Sequence, residues 1–322
     1  MIVMRFLHHL FLSVRQGPNQ MQFMKSLNFI TVIAEEKSIR KASERLAITP
    51  SALNRRLLAI EDELNCPLFE RMASGVRLNT AGELFLHHIK RQQIDLERVR
   101  SQIADLEGMR RGHVNLVSSH YAVANVLAEE MAEYRHAYSR VTFSVQTCER
   151  DMAEYQLSQL NADLAMTVGP VISSAVKILA SLSLAPVAIM RPDHPLSQKS
   201  SIRLYECAEF PIIMPEKQDH ITSLIHLAQT ATGVNLNVVG TYDNHAFRDQ
   251  YLQHEDAIGF HLPLSYSSSM KTGLITKPFA QSDIPSTMVC LLQLSNRVLS
   301  VAAAKFAEQL VARLERQFQG VN

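Results

Sequence analysis

Phe85, Ile89, Gln92, Leu96, Val99, Ile103 and Leu106 recur at spacings of 4, 3, 4, 3, 4 and 3. That is a heptad seam with one polar member. Thr80-Ala81-Gly82-Glu83 ahead of it has the form of a capping box. The pattern predicts a helix over about 81–107, about 40 Å long at 1.5 Å per residue. An isolated helix has nothing to bury such a seam against. A second copy of the chain does, so the seam predicts a two-chain coiled coil. The alternative is a stripe that packs on its own domain.

The seam separates two kinds of pattern. Helical spacing dominates from about residue 25 to 110, and strand–helix alternation follows from about 113. Strand candidates are 114–117, 141–145, 163–168, 186–190, 211–214, 236–239, 257–260 and 286–294. Helical stretches lie between many of them, at 121–138, 152–160 and 221–232 among others, with a last helix over 301–318. Alternation of this kind implies an α/β domain. The chain therefore reads as multidomain, with Gly112 as a hinge between an all-α part and an α/β part.

Three short helices are legible before the seam. The first carries Leu27, Ile30 and Ala34 on one stripe. Ser38 offers an N-cap hydroxyl, and Ile39, Ala42 and Leu46 form the buried face of the second. Ala47-Ile48 make a tight turn. Thr49 is then an N-cap and Pro50 a first helical residue, where its missing N–H costs nothing. Leu53, Leu57, Ile60 and Leu64 give the third helix one clean buried stripe. Its leading end carries Ser51, Asn54, Arg55 and Arg56. Helix, turn and helix with a polar, basic tip is helix-turn-helix architecture.

Charge agrees locally and not globally. The formal net charge is +1, so any nucleic-acid surface must be confined to part of the chain. Between residues 38 and 60, Arg40, Lys41, Arg45, Arg55 and Arg56 stand against Glu44 alone. Arg and Asn at the tip of a helix suit bidentate contacts to base edges in a major groove. The bland alternative is a solvated helical face.

The residues 27–82 resemble the winged helix-turn-helix of LysR-type transcriptional regulators. The likeness runs through Leu27-x-Phe29-x-x-Val32 and Ser38-Ile39-Arg40-Lys41-Ala42-Ser43-Glu44-Arg45-Leu46. It continues through Thr49-Pro50-Ser51-Ala52-Leu53-Asn54-Arg55-Arg56-Leu57, Ile60-Glu61 and Glu63-Leu64. It closes with Pro67-Leu68-Phe69-Glu70-Arg71 and Gly75-Val76-Arg77-Leu78-Asn79-Thr80-Ala81-Gly82. Asn54 stands where the family often has Ser, Arg40 where it often has Thr, and Asn65 where it often has Gly. Asn65 tolerates the left-handed backbone that a glycine would supply. The stretch 69–78 resembles the family's wing, turning at Ser74-Gly75. The resemblance implies DNA contacts from Arg40, Thr49, Pro50, Ser51, Asn54, Arg55 and Arg56, and from Arg71 and Arg77 of the wing. For Arg71 a pairing with a helix carboxylate is an equal alternative. It also implies dimerisation through the long helix and two half-sites about 34 Å apart on a double-stranded operator.

Residues from 112 onward resemble the family's effector-binding domain, two α/β lobes like those of periplasmic solute-binding proteins. This likeness rests on Gly112-x-Val114-x-Leu116, Val141-x-Phe143-x-Val145, Asp163-Leu164-Ala165-Met166, His194-Pro195-Leu196 and Asp256-Ala257-Ile258-Gly259-Phe260-His261-Leu262-Pro263. It implies two crossings, near Ala185 and Ser286. One lobe is then about 113–185 with 287–322, and the other about 186–286. Ligands in such folds lie at strand carboxyl ends. Those ends carry Ser118, Ser119, His120, Thr147, Cys148, Glu149 and Thr167 on one lobe, and Pro215, Glu216, Asn244 and His261 on the other. Ser119 falls where relatives often hold an effector carboxylate, and Glu149 where many have Ser or Thr. A cleft-facing Glu149 would favour a ligand with an amine or hydroxyl over a simple dicarboxylate.

The expected layout is an extension at 1–20, a winged helix-turn-helix at 21–79, a linker helix at 80–111 and an effector domain at 112–322. Residues 6–14 have the outline of a signal peptide, but His8 and His9 interrupt it and Gly17-Pro18-Asn19-Gln20 is no small-residue cleavage site. They read as a frayed extension, with Met21 or Met24 as alternative starts. No run of about 18 apolar residues exists, so no membrane helix is expected. Four cysteines with no C-x-x-C pair argue for reduced thiols in the cytoplasm. Cys148, near the cleft, is at most a lone redox candidate.

Catalytic motifs do not appear. No two glycines stand two apart, so there is no G-x-G-x-x-G; nor is there a P-loop or a G-x-S-x-G. His254-Glu255 is followed by Ile258, not a second histidine, and His87-His88 read as solvated. No cofactor or metal is expected beyond a small-molecule effector. The remaining partners implied are a second copy of the chain, as dimer or dimer of dimers, and RNA polymerase. The runner-up is a solute-binding or sensor module with helices for assembly only; an enzyme comes third.

Overall fold

The computed structural model describes residues 19–106, 110–119, 121–171, 173–216, 219–264, 273–280 and 283–318; side chains are described for 27–106, 110–119, 126–171 and the later segments to 316. Of the extension expected at 1–20, residues 1–18 lie outside them, while 19 and 20 open a helix. Two compact units divide near Asp95 and Leu96, and each is described by itself.

The first unit opens with three helices, α1 (Asn19–Glu36), α2 (Ile39–Arg45) and α3 (Pro50–Leu64). Their boundaries follow the caps. Ser38 Oγ accepts from Lys41 N at 3.4 Å, and Thr49 Oγ1 from Ala52 N at 3.3 Å, with Pro50 in the first turn. Asn65 ends α3 in the left-handed region at φ 51°. Leu53, Leu57 and Ile60 are buried against Leu27, Ile30 and Ile33 of α1 and Ala42 of α2. Each such leucine or isoleucine contributes about 1.5–3 kcal/mol by leaving water.

The wing is the hairpin β1 (Phe69–Met72) and β2 (Gly75–Leu78), in register Phe69–Leu78 to Met72–Gly75. Gly75 has φ 138°, and a Cβ there would lie 2.2 Å from the Lys37 carbonyl oxygen. Only glycine lets this tip close on the α1–α2 turn, where Val76 N donates to Lys37 O at 3.0 Å. Glu61 Oε1 accepts from Leu68 N at 2.6 Å, tying α3 to the approach to the wing.

The long helix α4 spans Thr80–Leu106. Its cap corrects the expected capping box. Asn79, not Thr80, holds the end: Asn79 Oδ1 accepts from Gly82 N at 2.9 Å and its Nδ2 donates to Pro67 O at 2.8 Å. The seam is also divided. Ile89 is fully buried in the first unit's own core and Phe85 packs against it, so these two do not face a partner chain.

The second unit begins with the last turns of α4. Ser101 and Ala104 are buried, and Ser101 Oγ donates to Arg111 O at 3.3 Å. Arg110 donates to Asp105 at 3.2 Å and lies 4.1 Å over the Tyr138 ring. Gly112, expected as a hinge, is packed instead. At φ 153° its Cβ position is 3.2 Å from Ala302 Cβ.

Beyond it run β3 (Gly112–Ser118), α5 (Tyr121–Ala137), β4 (Val141–Thr147), α6 (Arg150–Ser158), β5 (Leu164–Val168) and β6 (Val176–Leu184). Then come β7 (Val187–Met190), α7 (Leu204–Cys207), β8 (Ile212–Pro215), α8 (His220–Thr232), β9 (Val238–Tyr242), α9 (His245–His254), β10 (Gly259–His261) and β11 (Ile275–Pro278). The chain ends with β12 (Thr287–Leu294) and α10 (Val301–Phe318). One lobe is the sheet β4-β3-β5-β12-β6. The other has β10-β7-β11 and β8-β9, joined by an Ile212–Ile258 bridge. The chain passes between the two sheets from Leu184 to Val187 and again from Pro278 to Thr287. Strand β5 is buried throughout. Asp163, just before it, accepts from Asn115 N at 2.7 Å and pairs with Arg297, locking three segments at the end of the lobe away from the strand carboxyl ends. No described helix is long and apolar enough to cross a membrane.

His194 sits 1% exposed against Phe210, its Nδ1 accepting from Leu196 N at 3.1 Å. Burial pushes its imidazole below the ordinary histidine value of 6.5; Asp256 opposes that shift and Arg191 adds to it. The unfolded chain therefore takes up this proton more readily. The stability contribution is complete above about pH 6.5 and is lost as pH falls below it. Thermal melting of wild type and His194→Asn between pH 8 and 5 measures this. Asparagine keeps the cap and does not titrate, so the melting temperature of wild type is expected to fall more steeply below pH 6.5 than that of the variant.

Candidate nucleic-acid interface and effector cleft

At 100° per residue, Ser51, Arg55, Leu58 and Asp62 of α3 fall within a sector of about 60°. The buried stripe of Leu53, Leu57 and Ile60 lies on the opposite side. Thr49, Pro50, Ser51 and Arg55 are exposed and Asn54 is half-buried. The core thus turns the basic tip outward, and the helix N-terminus adds its partial positive charge there. Arg56 does not share this face. Its guanidinium lies 4.6 Å over the Phe29 ring of α1.

The other predicted arginines are engaged to different degrees. Arg40 pairs with Glu44 at 3.2 Å and Arg77 with its cross-strand neighbour Glu70 at 2.9 Å. Arg71 is exposed on the wing. Exposed pairs of this kind are worth about 0–1 kcal/mol, so a phosphate can displace the carboxylate. Arg45 bridges α2 to Glu35 and Glu36 of α1, at 2.7 and 3.0 Å, and orients the second helix.

In the rest of the seam Gln92 is exposed, and Leu96, Val99, Ile103 and Leu106 are 40, 42, 52 and 89% exposed. These four form the apolar stripe left after Phe85 and Ile89 enter the core.

At the strand ends of the first lobe, Ser119 N donates to Met166 O and Ser119 Oγ accepts from Val168 N, both at 3.0 Å. Among the described residues the hydroxyl is seen only as an acceptor. Ser118 and Thr167 are buried, and Thr167 Oγ1 has no partner among the described residues. Thr147 and Glu149 are exposed; Glu149 stands at the N-cap of α6 without a side-chain cap bond. Burial, with Glu149 beside it, pushes the Cys148 thiol up, which disfavours a reactive thiolate. His120 lies outside the described residues.

Three residues missed from sequence meet here. Arg150 Nη1 and His220 Cε1 lie 3.1 and 3.5 Å from the side-chain position of Gly169, and His220 Nε2 is 2.8 Å from Thr287 Oγ1. His220 belongs to one lobe, and Thr287 and Gly169 to the other, so the lobes touch at this point. Only the tertiary fold brings them together, since they are scattered in sequence.

On the second lobe, Pro215, Glu216, Asp219, Tyr242, Asp243 and His245 line a cavity of about 150 Å³. Burial pushes the Tyr242 phenol up to about 12, so it stays protonated. Two expected ligand residues are otherwise employed. Asn244 Oδ1 caps α9 by accepting from Ala246 N at 2.8 Å, and His261 is buried with Nδ1 3.5 Å from Arg248 Nη1.

Residues 24–83 match the family model described as "Bacterial regulatory helix-turn-helix protein, lysR family", and residues 107–315 the one described as "LysR substrate binding domain". The chain belongs to the LysR family. Among its relatives is the RuBisCO operon transcriptional regulator of Allochromatium vinosum, 25% identical over 60% of this chain and 64% of that protein. The matched stretch thus spans less than two thirds of that regulator. A full-length OxyR variant from Pseudomonas aeruginosa has the same fold, with a TM-score of 0.63 and 13% identity over 91% of this chain and 94% of that one. So does full-length CbnR complexed with its target DNA, with a TM-score of 0.60 and 14% identity over 90 and 99%.

For this LysR-family chain the geometry separates two neighbouring arginines. Arg55→Ala is expected to cost about 1–3 kcal/mol on a selected duplex and much less on random DNA. Arg56→Ala is expected to lower thermal stability slightly, through the lost cation–π contact of about 0.5–1 kcal/mol, and to leave discrimination between duplexes unchanged. Binding titrations on both duplexes, with melting curves, check the pair.

Proposed function

We propose that this LysR-family protein binds double-stranded operator DNA as a dimer or dimer of dimers, and that a small molecule at the strand carboxyl ends of its α/β unit modulates that binding. The observation that carries the reading is the outward stripe of α3. A capped, proline-led helix presents Ser51 and Arg55 directly opposite its buried face. A solved relative of the same fold, CbnR, is described in complex with its target DNA. The match to a substrate-binding domain supports a small-molecule ligand, and Ser119, Thr147, Arg150 and the cavity at Glu216 and Tyr242 are the groups that would meet it. The effector shifts DNA binding only by its differential affinity for two arrangements. RNA polymerase is a further partner, the cytoplasm the site of action, and no catalytic step or cofactor enters.

Duplex binding by the full chain is expected to fall linearly in log K against log salt, by about 0.9 per phosphate neutralised. A chain that binds no duplex at low salt returns the sensor-module reading instead.

Dimerisation rests on the exposed remainder of the seam. Leu96→Glu is expected to yield monomers in sedimentation, because a carboxylate would have to be buried between two helices. A dimer that survives this substitution places the interface elsewhere.

A further inference from the structure

Leu58 is a leucine where the fold asks for none. It is 47% exposed and lies about 45° from the centre of the α3 face that points away from the core, on the side of Ser51. Its companions on that face are Ser51, Arg55 and Asp62, all polar. A lysine or glutamine would serve the helix as well, since their propensities match that of leucine within a few tenths of a kcal/mol. An apolar side chain on a DNA-facing helix gains from burial only if the duplex offers something apolar. In the major groove one group does so, the C5 methyl of thymine.

The spacing agrees. Leu58 follows Arg55 by one turn, about 4.5 Å along the axis. That is close to the 3.4 Å rise between base pairs. Asp62, one turn further, faces the same way and is repelled by phosphates, so the contact surface ends after Leu58.

We propose that Leu58 is a sequence-reading residue: its methyl groups pack on the C5 methyl of a thymine adjacent to the base pair met by Arg55, once in each half-site. This rests on the DNA-binding reading above. It adds an apolar element of specificity to the polar ones of Ser51, Asn54 and Arg55.

The test is selection from randomised duplexes by the full-length protein, wild type and Leu58→Ala in parallel. Wild type is expected to select a motif with one required thymine in each half-site. Leu58→Ala should return the same motif with that position degenerate. In the selected duplex, deoxyuridine in place of that thymine removes only the methyl group. It is expected to weaken wild type about three- to ten-fold and Leu58→Ala less than two-fold. Leu58→Met should retain the preference. The side chain lies outside the core, and circular dichroism and melting temperature verify that each variant folds. A motif lacking the thymine, or an equal deoxyuridine effect in wild type and Leu58→Ala, overturns the assignment and leaves DNA binding standing. Failure of wild type to bind any duplex overturns both.

Discussion

One helix has side chains buried in each of the two units. Ile89 anchors α4 in the first unit, and Ser101 and Ala104 anchor its last turns in the second. A heptad seam would ordinarily face one partner along its length. Here Phe85 and Ile89 are spent inside the chain, and of the apolar members only Leu96, Val99, Ile103 and Leu106 stay exposed. The packing of Gly112 against Ala302 and of Arg110 on Tyr138 pins its last turns to the α/β unit.

The same economy governs the recognition helix. Its buried stripe is narrow, and everything off that stripe is free to serve another purpose. Arg55 and Ser51 fall opposite it and face out. Arg56, one residue on, falls to the side and covers Phe29. Adjacent arginines in one motif thus have different tasks, because 100° of rotation separates them.

Much of this is legible in the sequence, for local reasons. Ser38, Thr49 and Pro50 mark helix starts by chemistry that acts within four residues, and the 301–318 periodicity marks the last helix. Both lobe crossings follow from the family resemblance. What stays hidden depends on neighbours distant in the chain. Asn79 outcompetes Thr80 as cap because Pro67 O is there to hold its amide. Strand β6 sits at a sheet edge with a mixed exposure pattern, so no clean alternation announces it, and β11 is short and ends in Pro278. Strand-end position alone marks Asn244 and His261 as ligand groups, yet a helix cap and Arg248 occupy them. Arg150, His220 and Thr287 carry no motif at all.

The wing offers a last consequence. Its tip is bolted to the turn ahead of α2 through the Lys37 carbonyl, with no side chain tolerated at Gly75. Wing tip and helix turn are therefore held together as one stiff surface. On the proposed reading, any mismatch in groove width would fall on the nucleic acid, and bases that no side chain touches would count through how readily they bend.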